Sequence, residues 1–167
     1  MTSSSFQTQI IGEFWANLES SLNRIEELVD DCTIDELNWR PPARETNSIY
    51  VIAVHVMGHL RQGVMGVLGG GSQERDRDGE FRAVATPANV PIPDWSDTRY
   101  QMEKMLQGLG PDVLDRVYAP INRSPQTGMS LLLLMTRHTA LHEGHAELTR
   151  DLAKAAASRQ ELQNGLG

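Results

Sequence analysis

The stretch RHTALHEGHAELTRDL, Arg137–Leu152, carries three of the chain's five histidines: His138, His142 and His145. Leu141, Leu148 and Leu152 join them at steps of three and four, the period of one helical face. Leu131 and Leu134 extend the pattern backwards, so the helix begins near Thr127 or Ser130 and reaches about Ser158. His138 and His142 stand one turn apart on the stripe expected to face a core. An inward imidazole without a partner is destabilising by on the order of 1–3 kcal/mol.

Working outward, SIYVIAVHVMGHLRQGV (Ser48–Val64) holds the other two histidines, His55 and His59. This second helix is capped by Asn47 or Ser48 and stops at Gly69, Gly70 and Gly71. Its stripe is Ile52, His55, Val56, His59, Leu60, Val64 and Val67. A first helix runs from about Phe6 to Asp31 on Ile11, Phe14, Leu18, Leu22, Ile25 and Val29, and ends before Pro41 and Pro42. A third, capped by Asp94 or Ser96, uses Trp95, Met102, Leu106 and Leu109.

Between helices two and three lies GGGSQERDRDGEFRAVATPANVPIPD, too long for a simple connector and extended in its proline-containing half. It reads as a crossover between non-adjacent helix ends and a candidate lid. The alternation of Arg75, Arg77 and Arg82 with Glu74, Asp76, Asp78 and Glu80 reads as a solvated loop. RVYAPINRS (Arg116–Ser124) is a candidate local strand. The pattern predicts an all-α fold: a four-helix bundle with a long crossover between helices two and three. One domain spans residues 1–167, with a loose tail from about 159 that holds Gly165 and Gly167.

Bulk properties narrow the function. A chain of 167 residues, 40% hydrophobic and 22% charged, has material for a core without staples. The net charge of −7 speaks against a nucleic-acid partner. Cys32 is the only cysteine, which excludes an internal disulfide and suits a reducing cytosol. MTSSSFQTQI has no basic or apolar signal region, and no run approaches the ~18 apolar residues of a membrane span. A soluble cytoplasmic protein with a small-molecule substrate and no membrane partner is expected.

Histidines four apart on a helix can converge on one ion at about 2.0–2.1 Å. Thr139 follows His138 where a zinc-protease helix needs glutamate, so the protease reading fails. His55, on another inward stripe, completes a trio that solves its burial by sharing a cation; His59, one turn on, could replace it. Three neutral nitrogens leave coordination positions open, as catalytic sites do. His59 and His145 taken singly read as hydrogen-bonded or cavity-lining residues. EGH is one residue short of the Glu-x-x-His of di-iron bundles. Cys32 reads as an ordinary small residue, and GGG lacks the Lys-Ser/Thr of a phosphate loop.

Three segments carry a resemblance. LNWRPPARETNSIYVIAVH has Trp-Arg-Pro, a spacer and Ser-Ile before a histidine seven residues after the serine. GGGSQERDRDGEF is a Gly-rich, Arg-Asp loop ending in Glu-Phe, and HTALHEGHAEL has two histidines followed by x-Gly. Together they resemble the DinB/YfiT-like superfamily of metal-binding four-helix bundles. The resemblance implies that His55, His138 and His142 bind a divalent metal, zinc or nickel. His145 stands where the family signature has Gln, so a fourth imidazole adjoins the trio. Gly144 is retained, and a mid-helix glycine implies close approach of a helix or ligand.

Characterised relatives of this pattern include mycothiol-dependent isomerases and bacillithiol S-transferases, and others are described as metal-dependent hydrolases. The resemblance thus implies a low-molecular-weight thiol transferred to a small electrophile, or hydrolysis with Glu143 or His145 as proton carrier. It also implies a homodimer as a state of assembly. A non-catalytic, metal-stabilised binding protein is the contrasting reading, and it requires a saturated metal shell. Arg61, Arg77, Arg82 and Arg150 are candidates for holding an anionic group, against the plainer expectation of surface residues.

Overall fold

Four long helices and their connections make up the computed structural model, which describes residues 3–164. Helix α1 (Ser3–Asp30) leads to a short α2 (Ile34–Asn38), then α3 (Ile49–Leu60), which continues as a π-helical segment over Arg61–Leu68. The crossover contains α4 (Arg77–Phe81) and precedes α5 (Trp95–Gly108). A 3-10 turn (Pro111–Leu114) and two-residue strands β1 (Val117–Tyr118) and β2 (Gln126–Thr127) then lead into α6 (Gly128–Asn164). The strands pair antiparallel, Val117 with Thr127, so part of RVYAPINRS is a strand as expected.

Local chemistry explains the boundaries. Thr33 accepts from the Glu36 backbone N–H while the Glu36 carboxylate accepts from the Thr33 N–H, a reciprocal cap that starts α2. Ser48 Oγ accepts from Val51 N–H at 3.3 Å and sets the first turn of α3. Asp94 precedes α5 but makes no side-chain cap bond, because its backbone is left-handed with φ 59°. The helix expected to reach about Ser158 continues to Asn164, so the stretch from 159 is helical there; Gly165 and Gly167 lie outside the described residues.

The core confirms the stripes of the first three helices. Leu18, Leu22, Ile25 and Val29 of α1 meet Ile52, Val56 and Leu60 of α3, with Trp95, Met102 and Leu106 of α5 closing the side. Phe14 and Leu109 pack only partly buried against this cluster. The segment Ile49–Leu68 has the length and apolarity to cross a bilayer, yet 67% of its most apolar window is buried among the other helices. Its apolar surface is consumed by the bundle.

On α6 the predicted stripe is displaced. Leu132, Met135, Thr139, Ala146, Thr149 and Ala153 face the core, whereas Leu141, Leu148 and Leu152 are exposed. The helix is apolar on two sides, so a count of leucines selects the wrong one. His138 and His142 therefore sit half-buried at the flank, at the seam with α3, instead of in the centre. Gly144 is exposed, and a Cβ built there meets nothing within 4 Å, so no close approach among the described residues accounts for it.

This placement has a direct consequence. Leu132→Ala, at a fully buried position, is expected to cost about 2–5 kcal/mol of unfolding free energy. Leu141→Ala, on the predicted stripe, should change it by less than about 0.5 kcal/mol. Urea unfolding of both variants checks the orientation of α6, and equal losses would refute it.

Candidate metal centre

His55 comes from α3, and His138 and His142 from successive turns of α6. One ring nitrogen from each lies within 4.8 Å of the others. The Nε2 atoms of His55 and His138 are 3.3 Å apart. Two nitrogens bound to one tetrahedral ion stand roughly 3.3 Å from each other, so this spacing fits a shared metal. The rings of His138 and His142 are 4.4 Å apart between centroids, and those of His55 and His142 5.0 Å.

The donor chemistry also fits. Burial first, then neighbouring His59, His142 and His55, pushes the pKa of His138 down to about 2. Burial, then His55 and His145, pushes that of His142 down to about 4. Both rings are thus held neutral, the form that ligates. Nδ1 of each is buried with no hydrogen-bond partner among the described residues.

His55 is oriented by the crossover. Its Nδ1 lies 3.1 Å from Glu80 Oε2 and also 3.1 Å from Arg75 Nη2. A guanidinium only donates, and the Nη2 protons already go to Glu80 Oε2 at 2.6 Å and to the His55 carbonyl at 3.1 Å. The hydrogen-bond network therefore assigns the proton to Nδ1, donated to Glu80, and leaves the Nε2 lone pair facing the trio. Arg75 Nε also donates to Glu80 Oε1 at 2.6 Å, completing a fork. Burial pushes the Glu80 carboxyl up, but the hydrogen bonds from His55 and Arg75 outweigh it, and the group is held below the usual carboxylate range.

The charged stretch of the crossover is thus not a solvated loop at these two positions: the side chains of Arg75 and Glu80 are only 10% and 9% exposed. Two local features accommodate this pair. Gly58 is one, because a Cβ there would lie 2.0 Å from Glu80 Oε1. The Glu80–Phe81 pair is the other, since the Phe81 ring packs 4.7 Å from the His55 ring and Arg77 lies over its other neighbourhood at 4.7 Å. Through Arg75 and Glu80 the crossover is a support for the centre.

The remaining candidates separate. His59 is 4.0 Å from His138 between centroids, but its Nδ1 accepts from Arg75 Nη1 at 3.4 Å, so the lone pair is taken and Nε2 carries the proton. Burial first, then Arg75, lowers its pKa to about 3. His145 is exposed, with its ring 5.7 Å from that of His142. Glu143 turns towards α1, where its carboxylate accepts from Ser21 Oγ at 2.6 Å, and does not line the cavity that His142 reaches. Burial and Glu36 raise the pKa of the Cys32 thiol, in keeping with an unreactive residue.

Two cavities flank the centre. One of about 310 Å³ is lined by His142, His145, Ile52, Leu148 and Leu152 and by the Pro41–Asn47 loop. The other, of about 670 Å³, lies against Arg75, Glu80, Met57, Met65 and Met105 and includes none of the three trio histidines. The smaller one is lined by one member of the trio, His142. Arg61 donates to Thr98 and lines the larger cavity, Arg77 lies over Phe81, and Arg150 pairs with Asp151, so these arginines do not converge on the trio.

A family model described as the DinB superfamily matches residues 17–146, which include all five histidines and the Arg75–Glu80 pair. The match extends over more than half of the chain, and the chain belongs to the DinB superfamily. No protein of curated function matches it.

Two measurements examine the centre. Glu80→Gln should weaken zinc binding about 10- to 100-fold, because it removes the carboxylate that orients His55; unchanged affinity in a competition titration would contradict the arrangement. In metal-free protein, His59, His138 and His142 resist protonation while the unfolded chain takes protons at about 6.5. Their contribution to folded stability is therefore fully present above pH 6.5 and is lost as pH falls towards 4 and below. His142→Ala should flatten the part of that slope between 6.5 and 4, read from urea midpoints.

Proposed function

We propose that this member of the DinB superfamily is a metal-dependent enzyme that transfers a low-molecular-weight thiol to a small electrophile. His55, His138 and His142 would hold one divalent ion, zinc or nickel. The observation that carries the reading is a group of three imidazole nitrogens within 4.8 Å of one another, one of whose members, His142, opens on the 310 Å³ cavity. Three protein donors leave room for a further ligand, which favours turnover over a closed structural site.

When bound, such an ion lowers the pKa of a thiol at its open position, so thiolate is present at neutral pH. The chain's own residues do the rest. Glu80, fixed by Arg75, keeps the His55 proton on Nδ1 and its lone pair towards the centre. Ile52, Leu148 and Leu152 supply apolar wall for the electrophile. His145, exposed at the cavity, is placed to receive the thiol proton and pass it to solvent. Sulfur forms the new bond to the electrophilic carbon, and the leaving group departs with the bonding pair. The single, half-buried cysteine accords with a reducing cytosol.

Protein purified without a nickel column should contain close to one ion per chain. His142→Ala should lose most of that metal, and His59→Ala should retain it. A panel of thiols presented with monobromobimane should show turnover that chelation abolishes and zinc or nickel restores. Metal-free protein, or equal metal loss in the two variants, would refute the ligand set. Product carrying oxygen from water in place of sulfur would identify a hydrolase.

A further inference from the structure

The cavity beside the imidazoles has an unusual charge pattern. Among the described residues, no lysine or arginine lines it, and its one formally charged side chain is Glu45. Glu45 sits in the loop before α3 with φ 59°, a left-handed backbone that few non-glycine residues adopt. The loop holds that conformation by internal bonds. Ala43 N–H donates to the Pro41 carbonyl at 2.8 Å, and Thr46 Oγ1 lies 2.8 Å from the Pro41 carbonyl and 3.0 Å from that of Ala43. Glu45 is exposed and, among the described residues, has no hydrogen-bond or ion-pair partner. In the same loop Arg44 is exposed and does not line the cavity, and Arg40 donates to the Phe81 carbonyl; Arg61, Arg77 and Arg150 are engaged by Thr98, Phe81 and Asp151.

The geometry points to a substrate with three parts: a reactive end at His142 and His145, an apolar middle along Ile52, Leu148 and Leu152, and a cationic end, such as a protonated amine, at Glu45. Glu45 is on this view the residue that sets specificity, and anionic compounds are disfavoured at this cavity. The inference rests on the proposal that this cavity is where the enzyme's substrate binds. A volume of about 310 Å³ suits a small molecule of this kind. An ammonium group against the exposed carboxylate of Glu45 gains a modest attraction that salt weakens.

The test uses zinc-loaded protein and three probes of one apolar length: hexylammonium, hexan-1-ol and hexane-1-sulfonate. None is a strong zinc ligand at pH 7, so the comparison reads the charge of the tail. Calorimetric titration should rank hexylammonium first and hexane-1-sulfonate last, with hexylammonium roughly three- to tenfold tighter than the alcohol at low salt. Glu45→Gln should bring hexylammonium to the level of the alcohol while leaving alcohol binding and zinc content unchanged. Raising salt to 0.5 M (roughly a fourfold shorter screening length than at 30 mM) should do the same in the unaltered protein. The inference is overturned if the sulfonate binds as well as the ammonium, if Glu45→Gln leaves the ranking intact, or if none of the three binds. Zinc content is measured on the same samples. Full zinc with a reversed ranking sinks the charge inference alone, and the expected ranking in protein that cannot hold zinc sinks the metalloenzyme reading alone.

Discussion

Neutral imidazoles crowded against one another at the seam of α3 and α6 are the constraint around which this molecule is organised. His55, His59, His138 and His142 lie with ring centroids between 4.0 and 5.2 Å for the pairs in contact. Protonating His59, His138 or His142 places a charge in a poorly solvated space beside the other rings, which burial and mutual repulsion oppose. Left neutral, His55 and His138 bring ring nitrogens to 3.3 Å, with the His55 proton already donated to Glu80. A cation resolves both difficulties, since it accepts the lone pairs of several rings in one step.

The crossover then acquires a purpose beyond connection. It brings Arg75 and Glu80 back onto α3, and the absence of a side chain at Gly58 lets the carboxylate close on His55. A buried ion pair of this kind adds little net stability, because desolvation offsets most of the Coulomb attraction. Its physical effect is directional: it fixes which nitrogen of His55 is protonated. Arg75 extends the same control to His59 by donating to its Nδ1, which removes that residue as a competing ligand. One guanidinium thus separates two histidines that are neighbours on the same helix face.

The cavity side of the centre follows from the rotation of α6. Turning Leu132, Met135 and Ala146 into the core leaves Leu148 and Leu152 facing the loop before α3. These leucines, exposed at 58% and 43%, supply apolar wall where a helix fully committed to the core would have none. The same rotation carries His142 to the boundary between core and cavity and puts His145 beyond it.

Periodicity alone was enough to predict the four helices, the caps at Ser48 and the breaks at the prolines and glycines, because these depend on backbone sterics and on the local spacing of apolar residues. It also paired His138 with His142, since a separation of four residues has one meaning on a helix. Which face of α6 is buried depends on the other helices, and a helix with leucines on two sides carries no local signal to choose. The Arg75–Glu80 support joins residues 20 and more positions from His55, and in the sequence it is indistinguishable from the charged residues around it. Only the packed structure separates them, because burial changes the energy of a charge far more than its neighbours along the chain do.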